Sequence, residues 1–270
     1  MKRRVILLSL CAVLVALAVV AVRLTADRFS GGTEDPPGQA AAGASPAPPV
    51  TSGSTEAAVR YGWKKIGGEE FDGASVDTAK WDVYNGDNSV NESWSKKQCA
   101  VADGVLTLTG QANNAGTTCG IAWKDDQTFG RWEVRARMPK PADRAFAPTF
   151  LLWGADDANF PDAGEIDFSE TWNAERTFTD SWLHGPGNTK GPHFQSAPVD
   201  LTQWHNFGVD WQADKITLYL DGQVWGVYDD PKFIPKTPMH LVLQLTFVRN
   251  HPGELVQTTA QVDWARIYAP

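Results

Sequence analysis

Positive charge is what this chain lacks. Its 24 Lys and Arg face 32 Asp and Glu, a net charge of −8 over 270 residues. Residues 1–59 take five of the basic and four of the acidic groups, so the remainder stands at 19 basic to 28 acidic. A surface that binds phosphates needs the reverse balance, so nucleic acid is excluded as a partner. Amphipathic helix is also missing, with no helical periodicity sustained beyond about two turns. Cysteine is scarce. Of the three, Cys11 sits inside an N-terminal apolar run, behind Leu10 where a lipid-attachment site carries a small residue. That leaves Cys99 and Cys119 as a lone pair. In an exported domain an even count favours a disulfide over two buried thiols, here stapling neighbouring strands. Closing a loop of about 20 residues contributes roughly 3 kcal/mol.

Three segments follow from composition. Lys2, Arg3 and Arg4 precede an uncharged apolar run over residues 5–22, closed by Arg23. Ala16-Leu17-Ala18 offers the small-residue pattern of a cleaved signal peptide. The whole run is also long enough to span a bilayer with its basic end inside, which favours an uncleaved anchor. Residues 1–23 are therefore a signal peptide or membrane anchor, and the rest is expected outside the cytoplasm, secreted or held at the outer face of the membrane. Residues 24–59, rich in Pro, Ala, Gly and Ser, bury no core and read as a flexible tether. Residues 60–270 form the folded domain, expected as a monomer.

The domain reads as strands. Residues 105–109 alternate after an Asp103-Gly104 turn. Residues 129–139 place Trp132, Val134, Ala136 and Met138 on one face and Arg131, Glu133, Arg135 and Arg137 on the other. Residues 146–153 are continuously apolar, as in a strand covered on both sides. Residues 207–211, 216–220 and 223–227, with Asp221-Gly222 between the last two, read as a meander, and 240–248 and 261–268 complete the series. Many short strands between turn residues give an all-β sandwich or barrel. The chain also holds 12 tryptophans, a surplus that suits a sugar-binding cleft, where flat rings stack on pyranose faces.

Chemistry concentrates in Gly164-Glu165-Ile166-Asp167-Phe168-Ser169-Glu170-Thr171-Trp172. In a regular strand Glu165 and Asp167 share a face and Glu170 takes the other. A β-bulge around Phe168-Ser169 returns Glu170 to the first face. The glutamate Cα atoms are then roughly 13 Å apart at ~3.3 Å per residue. Two inward-leaning side chains close that to the about 5–5.5 Å of retaining glycoside hydrolysis. The bland reading is a solvated polar strand face, which three like charges among aromatics fit poorly.

These stretches together resemble family 16 of the glycoside hydrolases, over about residues 66–269. Glu70-Phe71-Asp72-Gly73 with Lys80-Trp81 resembles the family's opening strand, and Asp103-Gly104-Val105-Leu106 its "DGxL" turn. Residues 129–139 resemble its "fGrfEaRiKlP" strand. Glu165-Ile166-Asp167-Phe168-Ser169-Glu170 is similar to the bulged catalytic signature, and Val262-Asp263-Trp264-Ala265-Arg266-Ile267-Tyr268 to the closing strand. The resemblance implies a β-jelly-roll, two stacked antiparallel sheets with a concave substrate cleft. It also implies a retaining endo-β-glycanase on a polysaccharide, with β-1,3- or mixed-linkage glucan as the default substrate. A transglycosylase with the same residues and a non-catalytic glycan-recognition protein are the alternatives.

By resemblance Glu165 is the nucleophile, Glu170 the acid/base and Asp167 their partner, with no cofactor in the chemistry. Trp153 is a platform under the sugar beside the cleavage point or a sandwich-core tryptophan. Trp172 is a platform or core, and His184 lines the cleft or is structural. Glu70 and Asp263 stand where relatives hold a structural Ca²⁺, with ordinary surface acids as the alternative. Departures bear on the substrate. Phe160-Pro161 replaces the laminarinase "WP", residues 241–248 lack its glycine pair, and Gln244 stands where asparagine is common.

Overall fold

Alternation of apolar and polar residues decides the layers. The computed structural model describes residues 54–87, 93–113, 115–188, 191–248 and 254–270. The signal or anchor at 1–23 and most of the tether lie outside the described residues. In chain order come α1 (Ala57–Tyr61), β1 (Lys65–Glu69), β2 (Trp81–Val83), β3 (Gly86–Asp87), β4 (Ser93–Trp94), β5 (Cys99–Ala102), β6 (Val105–Gly110), β7 (Thr117–Thr118), β8 (Gly120–Trp123) and β9 (Gly130–Arg137). Then follow β10 (Phe146–Gly154), β11 (Glu165–Glu170), β12 (Asp180–His184), β13 (His193–Gln195), β14 (His205–Trp211), β15 (Ile216–Leu220), β16 (Gln223–Tyr228), β17 (Met239–Phe247) and β18 (Thr258–Tyr268).

Two antiparallel sheets stack as a jelly-roll. One runs β16-β15-β14-β9-β18-β6-β5, with β1 against β18. The other runs β13-β12-β11-β10-β17-β8-β2. Between them lies one core in which Trp132, Val134 and Ala136 of β9 meet Phe150 and Leu152 of β10 and Ile166 and Phe168 of β11. The expected all-apolar strand at 146–153 is β10, buried along its whole length because it sits mid-sheet. Its outward residues Leu151 and Trp153 join Val242 and Ala122 in a second apolar cluster on the far face, the cleft floor.

The folded part begins earlier than residue 60. Ala57 and Ala58 are buried, and their N–H groups donate to the two Glu133 carboxylate oxygens at 2.6 and 3.1 Å. Asn206 Nδ2 donates to Thr55 Oγ1 at 3.0 Å, and Arg266 pairs with Glu56 at 2.9 Å. Glu133, expected on a polar outer face, is thus covered by α1. The composition of 54–59 hid this because alanines pack as well as they link. No described helix is long and apolar enough to cross a membrane. Cys99 and Cys119 are disulfide-bonded, with Cα atoms 5.2 Å apart. Cys99 opens β5 of one sheet and Cys119 directly precedes β8 of the other, so the bridge ties the two sheets rather than neighbouring strands.

Candidate active site

The bulge that Glu170 requires is present. Against β10, Leu151 pairs with Asp167 and Phe150 with Ser169, leaving Phe168 without an opposite number. Against β12 the register breaks between Asp167 and Glu170 as well. Apolar demand explains the kink: Ile166 and Phe168 are both fully buried in the core, which turns Glu165, Asp167 and Glu170 together onto the cleft face. Ser169 is buried and its Oγ shares a 2.9 Å hydrogen bond with Thr179 Oγ1. Gly164, at φ +84°, leads the chain into β11; a Cβ there would lie 2.2 Å from Met239 Cε and 2.5 Å from Pro235 Cβ.

Neighbouring strands complete the surroundings. His184 pairs across the sheet with Glu165, and its Nε2 lies 3.9 Å from Glu165 Oε2 and 3.7 Å from Asp167 Oδ2. One donor atom from each of the three falls within 4.8 Å of the others. Trp153 also pairs with Glu165, from β10. It belongs to the cleft floor and not to the sandwich core, stacks on Phe160 at 5.5 Å and 7°, and donates its indole N–H to Asp157 at 2.7 Å. Phe160 in turn lies 5.8 Å from the His184 ring. Trp172 is half-buried and its indole hydrogen-bonds to Glu170. Gln244, opposite Thr149, donates to Thr246 Oγ1 at 3.1 Å, which makes the sheet polar on β17, across β10 from β11.

Sequence reasoning missed a second group beyond β11. Asp180 stands opposite Glu170 and accepts hydrogen bonds from His193 Nε2 at 2.9 Å and Gln195 Nε2 at 3.1 Å. The His193 ring stacks on Trp182 at 4.1 Å, and Trp182 is opposite Asp167. Stepping back by two from His184 reaches Trp182 and then Asp180 on the same strand face, but only the pairing of β12 with β11 shows that this face meets Glu170.

Burial raises the pKa of Glu165 first, and repulsion by Glu170 adds to it. Glu170 is raised chiefly by burial, opposed by the Trp172 hydrogen bond and reinforced by Asp180. Two such carboxyls titrate as a pair and do not both ionise near neutrality. One charged and one protonated carboxyl is the composition that acid-assisted nucleophilic attack needs.

Glu70 and Asp263 do not fit the expected Ca²⁺. Both Glu70 oxygens are taken by Arg266, at 2.9 Å each, and Lys65 adds a further ion pair. Asp263 pairs with Arg135 Nε at 3.0 Å. Guanidinium and ammonium groups fill the places a cation would take, and Glu70 is held down at a pKa of about 2, chiefly by the Arg266 hydrogen bond.

A jelly-roll with three carboxylates on one bulged strand of its concave sheet, beside aromatic rings, defines a carbohydrate-active hydrolase. The chain belongs to the glycosyl hydrolases family 16, whose model matches residues 86–266. It is similar to a beta-glucanase of Rhodothermus marinus, 23% identical over 252 residues, covering 76% of this chain and 85% of that one. A glucan endo-1,3-beta-glucosidase of Cryptopygus antarcticus is 29% identical over 117 residues, 40% of this chain and 43% of that one, so the match spans less than half of that relative. The endo-beta-1,3-glucanase structure from Pyrococcus furiosus superimposes with a TM-score of 0.67 at 21% identity, over 77% of this chain and 94% of that one, which shows the shared fold.

Proposed function

We propose that this chain is an exported, endo-acting β-glucanase that cleaves a polysaccharide with retention at the anomeric carbon. The observation that carries the reading is the β11 bulge, which gathers Glu165, Asp167 and Glu170 on the cleft face. Glu165, as carboxylate, attacks the anomeric carbon while Glu170 donates its proton to the departing glycosidic oxygen. A water then enters on the same face. Glu170, now ionised, takes its proton as the water oxygen displaces Glu165. Ester formation removes the Glu165 charge, which lowers the repulsion that favoured a protonated Glu170 and lets it act as a base. Asp167, between them, and His184 orient the nucleophile. Trp153 and Phe160 supply the aromatic floor.

The names of the relatives support a β-glucan as the substrate class, with the β-1,3 linkage named for one of them. The test is a reducing-sugar assay of the full chain on β-1,3-, mixed-linkage, xyloglucan and galactan polymers, beside Glu165→Gln. Activity on a glucan that is lost in the variant, with products no longer than the input, supports the reading. Longer products would move it to a transglycosylase. Polymer binding without cleavage would overturn it.

A further inference from the structure

We propose that Asp180 is a positioning residue for the acid/base step, a fixed carboxylate on the neighbouring strand that keeps the proton on Glu170 until the glycosidic oxygen takes it. The inference rests on the glucanase reading above. Its warrant is geometric. Asp180 is the cross-strand partner of Glu170 at the point where the bulge restores register, so the two side chains share the cleft face of β11 and β12. The Asp180 side chain is 11% exposed, so little water screens it.

Two donors fix it. His193 Nε2 and Gln195 Nε2 both converge on Oδ1, and both come from β13, the edge strand. The His193 ring is itself held by its stack on Trp182. Oδ2 receives neither donor, and a carboxylate facing Glu170 disfavours a second negative charge there. Other groups face Glu170 too. Glu165 and Asp167 come from its own strand, with His184 of β12 against those two, Trp172 donates from the following loop, and Thr149 stands opposite on β10. Of the acids, Glu165 loses its charge when esterified and Asp167 lies beside it. Asp180 stays outside that chemistry, so its influence persists through both half-reactions.

The experiment is the pH dependence of kcat/KM for the full chain as wild type, Asp180→Asn and Asp180→Glu. Two substrates are used: the polymer that the wild type cleaves best, and the 2,4-dinitrophenyl β-glycoside of its disaccharide, whose leaving group needs no proton. Removing a like charge lowers the pKa of the acid, so the basic limb on the polymer is expected about one unit lower in Asp180→Asn. Above that limb the polymer rate falls about tenfold, while the dinitrophenyl glycoside changes less than about twofold. Asp180→Glu restores most of the limb. Superimposed profiles, or an equal loss on both substrates, would overturn the proposal while leaving the glucanase reading intact. A wild type no more active than Glu165→Gln on every polymer would overturn both.

Discussion

Each cleft carboxylate is defined by what lies within reach of it. Glu170 receives one hydrogen bond from Trp172 that favours its charged form. Trp172→Phe keeps the ring and removes the donor, so the pKa of Glu170 should rise and the basic limb of the kcat/KM profile should move to higher pH. That is opposite in sign to the Asp180→Asn shift, and profiles of the two variants on one polymer check the pair. Glu170→Gln should lower kcat/KM on the polymer by about 10²–10⁴. A drop of less than tenfold would remove Glu170 from the acid/base role. At this scale the sequence was legible for Glu165, Asp167 and Glu170 because their spacing is chemically unusual. It was not legible for Asp180, since an aspartate between threonine and serine looks like any turn or edge residue. Only the strand register shows that it faces a glutamate.

Elements carry the next level of cause. β11 works because two buried apolar side chains, Ile166 and Phe168, are separated by a bulge from the serine that follows. That was readable from the signature, since Glu170 could not otherwise share the face of Glu165. Long strands such as β9, β10 and β17 were equally readable, because they alternate or run apolar for many residues. Short β8 and β13 were not, because three or four residues hold too little periodicity. Gly164 sets how β11 begins. Gly164→Ala combines a positive φ with a clash against Met239 and Pro235, and should destabilise the domain by more than about 1 kcal/mol and lower activity by displacing Glu165. Urea unfolding beside a kinetic assay measures both. The disulfide ties one sheet to the other. Replacing Cys99 and Cys119 by alanine should cost roughly 3 kcal/mol. At this size that lowers Tm by about 6–12 °C, and an unchanged Tm would show the bridge to be dispensable.

The whole molecule holds more buried carboxylates than its stability favours at neutral pH. Glu133 is pushed up to about 7 by burial beneath α1, and burial raises Glu165 and Glu170 as well. A carboxyl with a raised folded-state pKa contributes stability that is fully present below its unfolded value, near 4.5, and lost as pH climbs through the folded value. For Glu133 the loss is about 3 kcal/mol once the pH passes 8. Glu70 works in reverse. Its pKa of about 2 gives stability that is present above 4.5 and lost as pH falls through 2. The two trends cross on the acid side of neutrality, so Tm should be highest near about pH 4–5 and decline steadily towards pH 8. Glu165→Gln separates this account from general charge repulsion. Glutamine resembles the protonated acid, so the variant should match the wild type in Tm at pH 4.5 and exceed it at pH 8 by at least about 1 kcal/mol, roughly 2–4 °C. Glu165, in its proposed role as nucleophile, would then be a site where function is retained against stability. Scanning calorimetry at the two pH values decides it. Equal Tm values at pH 8 would mean that Glu165 is ionised without cost in the folded protein, and that the cleft is wetter than its side-chain packing implies.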